Sequence, residues 1–129
     1  MRVEMPDDVA NPFVELGSHY AGEIVGSASQ FSRTVYGRTR LPLRVFEAAR
    51  ARTAEINGCL VCRAFRAKRD MASYDDTKTG TVVDNGEAPD EDFYQNVSAW
   101  KSYAGFNQRE RVAIEFAERF CEEPQALSS

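Results

Sequence analysis

Apolar residues recur at helical spacing in several segments of the chain, and the segments are separated by polar, turn-forming stretches. Asn11-Pro12 reads as a helix start, with Phe13, Leu16, Tyr20 and Ile24 following on one side. Gly17, Gly22 and Gly26 weaken that helix and predict a break near residue 17. Helical character resumes through Phe31 and Val35 and stops at Gly37. Pro42 opens the next helix, which runs to about Asn57 with Val45, Ala49 and Ile56 along one side and Phe46 adjoining. Glu47 sits beside that side, which predicts partial burial. A third helix is expected over roughly 59–72, and a fourth near 91–101 carrying Phe93, Val97 and Trp100.

The last helix starts at Asn107, with Glu110 three residues on in a capping-box pattern. Its apolar face is read as Ala113, Ile114, Ala117, Phe120 and Cys121, and Pro124 ends it. Residues 73–91 are polar and rich in Asp, Gly and Thr and read as a long loop. Thr81-Val82-Val83 is the only strand-like run. The pattern predicts an all-α, compact bundle of about five or six helices, in a single domain over residues 1–129 without internal repeats.

Composition narrows the functional classes. The 129 residues are 43% hydrophobic and 28% charged, ordinary for a globular chain. A net charge of −4 argues against general nucleic-acid binding. Arg38, Arg40, Arg44, Arg50 and Arg52 cluster nonetheless, and the plain reading is a solvated helix face partnered by Glu47 and Glu55. No apolar run approaches the ~20 residues that span a bilayer, and the first residues lack a secretory layout. Three cysteines do not suggest a secreted disulfide scaffold. These features predict a cytoplasmic protein with neither membrane nor nucleic-acid partner.

The chemistry concentrates between Glu47 and Arg66. Cys59 and Cys62 form a Cys-x-x-Cys pair just after Asn57-Gly58, at the expected start of a helix. Backbone N–H groups there favour a thiolate, the reactive form of cysteine. The spacing suits a redox dithiol, a zinc knuckle or two cysteines packed as small apolar residues. Zinc would need four ligands, and only Cys121 and His19 are left to complete the set, in no knuckle-like spacing. No metal and no cofactor is therefore expected. Cys121 reads as a core residue, and His19 as a structural or surface one.

Leu41-Pro-Leu-Arg-x-x-Glu47 followed by Ile56-Asn-Gly-Cys59-x-x-Cys62 resembles the carboxymuconolactone decarboxylase family, in its alkylhydroperoxidase D-like branch. The likeness is strongest over 41–66 and extends loosely over a core of about 19–122, including the run from Phe106 to Glu118. The resemblance implies an alkylhydroperoxidase D-like fold packed as a homo-oligomer (dimer, trimer or hexamer). It implies catalytic roles for Cys59, Cys62 and Glu47, a hydroperoxide substrate and an external dithiol or protein reductant. One thiolate would attack the peroxide and become a sulfenic acid, and the other would condense with it to a disulfide. Glu47 would help move protons. The family places a histidine four residues after the second cysteine, where this chain has Arg66. A guanidinium can favour a thiolate but cannot shuttle protons near neutrality, so Arg66 joins Cys59, Cys62 and Glu47 as a catalytic candidate in an electrostatic role. The family's lactone decarboxylases do not use a Cys-x-x-Cys pair. The remaining alternative is a redox-sensing or structural oligomer with little turnover.

Overall fold

The computed structural model describes residues 15, 17, 19–71 and 82–128. They are all-helical, with no strand among them. The chain divides into two compact units, residues 1–36 and 37–129. The first contains most of α1 (Gly22–Arg38), a helix with no buried residue, on which Ile24 and Phe31 are largely exposed. Residues 15, 17, 19 and 20 are also helical, and the interruption falls at Ala21, a few positions after the expected break. The expected start at Asn11-Pro12 lies outside the described residues.

The second unit is built on α2 (Leu43–Ile56) and α6 (Gln108–Glu122), which pack against each other. Between them come α3 (Leu60–Ala64), α4 (Ala67–Asp70), a 3₁₀ turn (Val82–Asp84) and α5 (Glu91–Gln95). A second 3₁₀ turn, Pro124–Ser128, follows α6.

Pro42 sets the start of α2, because its ring fixes φ, here −55°, and its missing N–H is not needed there. Asn85 holds this end in place. Its carbonyl accepts the Leu43 N–H at 2.7 Å, and its amide donates to the carbonyls of Arg40 and Leu41. The buried side of α2 is Leu43, Val45, Glu47, Ala48, Ala51 and Ala54. The expected side of Val45, Ala49 and Ile56 is therefore rotated, and Ala49 and Ile56 are half-exposed. Alanines at 48 and 51 let α6 and the aromatic segment 93–106 approach closely.

The core joins Ala48 and Ala51 to Phe93, Tyr94, Val97, Trp100, Phe106 and Ile114. Phe93 meets Phe106 edge-on at 4.9 Å between ring centres, the geometry aromatic quadrupoles favour. Burying each such ring contributes about 1.5–3 kcal/mol. The helix expected over 91–101 ends at Gln95, and turns carry the chain on to α6. Arg111 compensates the irregular backbone by donating to the carbonyls of Trp100, Tyr103 and Phe106.

The capping box at Asn107 forms as its sequence predicts: Asn107 accepts the Glu110 N–H, and Glu110 accepts the Asn107 N–H. Glu110 is fully buried and also binds the Arg44 guanidinium at 2.7 Å. The strand-like run instead winds into the Val82–Asp84 turn, with Val82 completely buried, and Thr81 lies outside the described residues. On α6, Ile114 and Ala117 are buried, but Phe120 is 61% exposed and Cys121 is half-exposed, so neither belongs to the core as expected. Val112, Phe116 and Phe120 form an exposed apolar row on this helix.

Candidate functional site: a dithiol turn clamped to a buried carboxylate

Helix α2 ends in a tight stop that delivers the cysteines. The N–H groups of Gly58 and Cys59 donate back to the carbonyls of Glu55 and Ala54, the paired bonds of a Schellman ending. Gly58 adopts φ +64°, a left-handed conformation that a side chain would strain. Cys59 thus falls at the cap of α3, and its sulfur accepts the Cys62 N–H at 3.2 Å. Cys59 and Cys62 are joined in a disulfide with their Cα atoms 5.2 Å apart. Cys62 is exposed and Cys59 half-exposed, while Leu60 and Val61 between them face outward. Cys121 is a free thiol.

The expected helix over 59–72 is broken just beyond the pair. Phe65 and Arg66 are extended, with ψ of 138° and 112°. The break frees carbonyls that a helix would have used, and arginines take them. Arg50 donates to the carbonyls of Cys62 (2.7 Å) and Phe65 (2.9 Å). The same guanidinium grips Glu47 through both carboxylate oxygens, at 2.6 and 3.0 Å. Tyr94 donates its hydroxyl to Glu47 Oε2 at 2.6 Å, and the Ala67 N–H adds a longer contact at 3.4 Å. Glu47 is completely buried, beyond the partial burial expected. Such a carboxylate persists only with donors on its oxygens, and these four supply them. Burial pushes the Tyr94 phenol well above its ordinary range, and the hydrogen bond to Glu47 adds to the effect. Tyr94 therefore stays protonated as a donor.

Arg66 is held from several directions. It pairs with both oxygens of Glu91 at 2.9 Å and donates to the carbonyls of Arg63 and Phe65. It lies over the Tyr94 ring at 3.9 Å, a cation–π contact. The hydrogen bond from Arg66 holds the Glu91 carboxyl below its usual range. Beside this turn is an open groove of about 560 Å³, lined by Ala51, Glu55, Leu60, Arg63, Ala64, Arg66, Tyr94 and Gln95 and by neither cysteine.

The four candidate residues are thus brought into one neighbourhood. The cysteines are bonded to each other, Glu47 reaches their turn through Arg50, and Arg66 closes the turn from the other side. His19 is exposed and meets Tyr20 edge-on. Two participants escaped the sequence reading. Arg50 was visible only as a surface partner of Glu47 at i+3, because its carbonyl contacts depend on the break after Ala64. Tyr94 gave no sign in sequence, since its hydroxyl meets Glu47 across 47 residues. No group of metal-ligating side chains occurs among the described residues. No helix among them is long and apolar enough to cross a membrane.

The site and fold together define an all-helical protein with a close Cys-x-x-Cys pair clamped to a buried glutamate. No protein-family model matches the chain, and no curated protein or solved structure is detectably similar to it.

Proposed function

We propose that this protein is a thiol-dependent peroxidase, or more broadly a disulfide oxidoreductase, of the alkylhydroperoxidase D-like kind. The observation that carries the reading is the bridged Cys59–Cys62 turn, accessible on its outer side and tied through Arg50 to a fully buried Glu47.

In the reaction a Cys62 thiolate attacks the distal oxygen of a hydroperoxide ROOH. The O–O bond breaks, the sulfur becomes a sulfenic acid, and the departing alkoxide takes a proton to leave as ROH. The Cys59 thiol then displaces water and closes the disulfide. An external dithiol, two electrons and two protons richer than its disulfide, reopens the pair. Exposure favours Cys62 as the sulfur that meets the oxidant. Cys59, whose sulfur accepts the Cys62 N–H, suits the role of thiolate released on reduction, because a hydrogen bond to the charged form stabilises it. Glu47 anchors Arg50, and Arg50 fixes the carbonyls on which the turn hangs. Tyr94 stays protonated and donates to Glu47, so it holds that carboxylate in place and does not take over the proton relay that relatives by resemblance give to a histidine.

A second reading has its own observation. Arg66 stands where that histidine would be, and Glu91 and two carbonyls occupy it. A pair that oxidises once and turns over slowly is a sensor rather than a peroxidase. Counting free thiols by mass separates the readings. The peroxidase reading expects two thiols lost with peroxide, both regained with a dithiol, and many equivalents of peroxide consumed under steady reduction. A single stoichiometric oxidation supports the sensor. Unchanged thiols sink both. The same proposal includes self-association into a homo-oligomer, supported by the exposed row Val112, Phe116 and Phe120. Light scattering at micromolar concentration checks it, and a monomer removes that part.

A further inference from the structure

Helix α6 presents an apolar row on its outer side. Val112, Phe116 and Phe120 are each more than half exposed, and the Phe116 and Phe120 rings stack at 6.0 Å between centres. The three lie four residues apart, just over one turn, so they share one face of the helix. Ile114 and Ala117 face the core instead.

The exposed face ends in two charges of opposite sign. Arg109 and Glu123 stand seven residues before and after Phe116, at heptad positions that share its side. Both are exposed, and among the described residues neither has an ion-pair partner. Arg119, one turn before Glu123, is bound to Glu115, and Glu87 shares a small pocket with Arg109 without forming an ion pair. Each charge also sits at the wrong end for the helix dipole. Arg109 lies in the first turn, where a cation is unfavourable, and Glu123 is the C-cap, where an anion is. Where a natural sequence breaks a local rule, a gain elsewhere is expected to offset it.

From this pattern we infer that α6 lies antiparallel on α6 of a second copy of this chain, with the two-fold axis at Phe116. That arrangement brings the two Phe116 rings together and sets Val112 of each copy against Phe120 of the other. It also sets Arg109 of each copy against Glu123 of the other, so both ends of the pair close on opposite charges. Each charge then lies beside the favourable end of its neighbour's dipole. A parallel pair would set like charge on like charge, so the charges select the antiparallel register. Such a contact uses the same face on both copies and closes at two. The inference rests on the self-association reading, to which it adds the surface, the partner and the register, and it stands apart from the peroxidase chemistry.

Equilibrium sedimentation of the full chain tests it. One helix pair covers less than a standard interface, so wild type is expected as a reversible dimer that dissociates in the micromolar range. Arg109→Glu and Glu123→Arg each place like charges together at both ends of the pair. Each should weaken the dimer about tenfold, because two exposed attractions become repulsions. An equal mixture of the two variants should dimerise as wild type does, since every end contact in the mixed pair is again between opposite charges. Both substitutions suit the helix dipole, so the midpoint of thermal unfolding should not fall, and loss of the dimer is then not loss of the fold. Phe116→Asp sets two carboxylates on the axis and should leave a monomer.

Restoration on mixing supports the inference, because only a contact between the two substituted positions produces it. An assembly that survives both reversals and Phe116→Asp overturns the inference and leaves self-association standing on another surface. Two weakened variants that stay apart when mixed overturn it as well. A wild-type monomer throughout the micromolar range removes the inference and self-association together.

Discussion

Glu47 and Glu110 are both completely buried, and each is held by an arginine from α2. They differ in where the remaining donors of that arginine go. Arg44 spends its spare N–H on the Gly105 carbonyl, and Glu110 itself caps the start of α6. The pair closes a helix end. Arg50 reaches instead to the carbonyls of Cys62 and Phe65, on a turn whose outer side is open to solvent. The comparison teaches that burial of a charge does not mark a site. The group tied to its partner does. Each pair combines desolvation with strong charge-assisted bonds, so removing one member leaves the other uncompensated.

The largest effect is therefore expected from Glu110→Ala. It strands Arg44 and removes the cap, and should lower stability by about 3–5 kcal/mol. Chemical denaturation measures this loss. The fraction that remains folded should oxidise its cysteines at the wild-type rate. Glu47→Gln should show the opposite balance, with thiol oxidation by peroxide slowed about 100-fold per folded molecule, the low end of what acid–base and positioning groups supply. Equal slowing in the two variants would erase the distinction between them.

Arg50→Lys sharpens the comparison further. The charge facing Glu47 survives, but one ammonium cannot span a carboxylate and two carbonyls. Amide exchange over residues 59–66 should quicken about tenfold, with little change around α6, and mass-resolved hydrogen exchange reads both regions. Unchanged exchange over 59–66 would mean that the turn holds itself.

The smallest effect separates the pairs by pH. Tyr94 sits on Glu47, and its folded phenol loses its proton only well above the ordinary value of 10.0. Between those values the unfolded chain binds fewer protons, so the contribution is complete below pH 10 and declines as pH rises above it. Tyr94→Phe should flatten that alkaline decline while losing about 1 kcal/mol near neutrality with the hydrogen bond. Denaturant midpoints from pH 8 to 11 test it, and an alkaline slope equal to wild type would detach Tyr94 from the effect.

The sequence made some features legible because their causes are local. Pro42 at the start of α2, the Asn107–Glu110 cap and the Asn57-Gly58 stop depend on residues within one turn of each other. The cysteine pair was legible by spacing alone. The features that were misread depend on distant partners. Residues 59–72 have helical composition, but the carbonyls of Cys62 and Phe65 go to Arg50 and those of Arg63 and Phe65 to Arg66. The helix gives way where those contacts form. The buried side of α2 turned toward Ala48 and Ala51 because the aromatics of 93–106 and Ile114 pack there. Phe120 was assigned inward by period, but period finds an apolar face without saying whether anything covers it.

The bridge between Cys59 and Cys62 closes a ring of four residues. In the chain-entropy account so short a loop restrains the unfolded chain weakly, by roughly 2 kcal/mol, well below what a long loop supplies. The native state of this domain is thus held by its aromatic core and buried ion pairs, with the bridge a minor contributor. Opening it is therefore expected to leave the fold in place. If the pair cycles as proposed, it would serve as a latch rather than a rivet, worked without the architecture having to be rebuilt at each stroke.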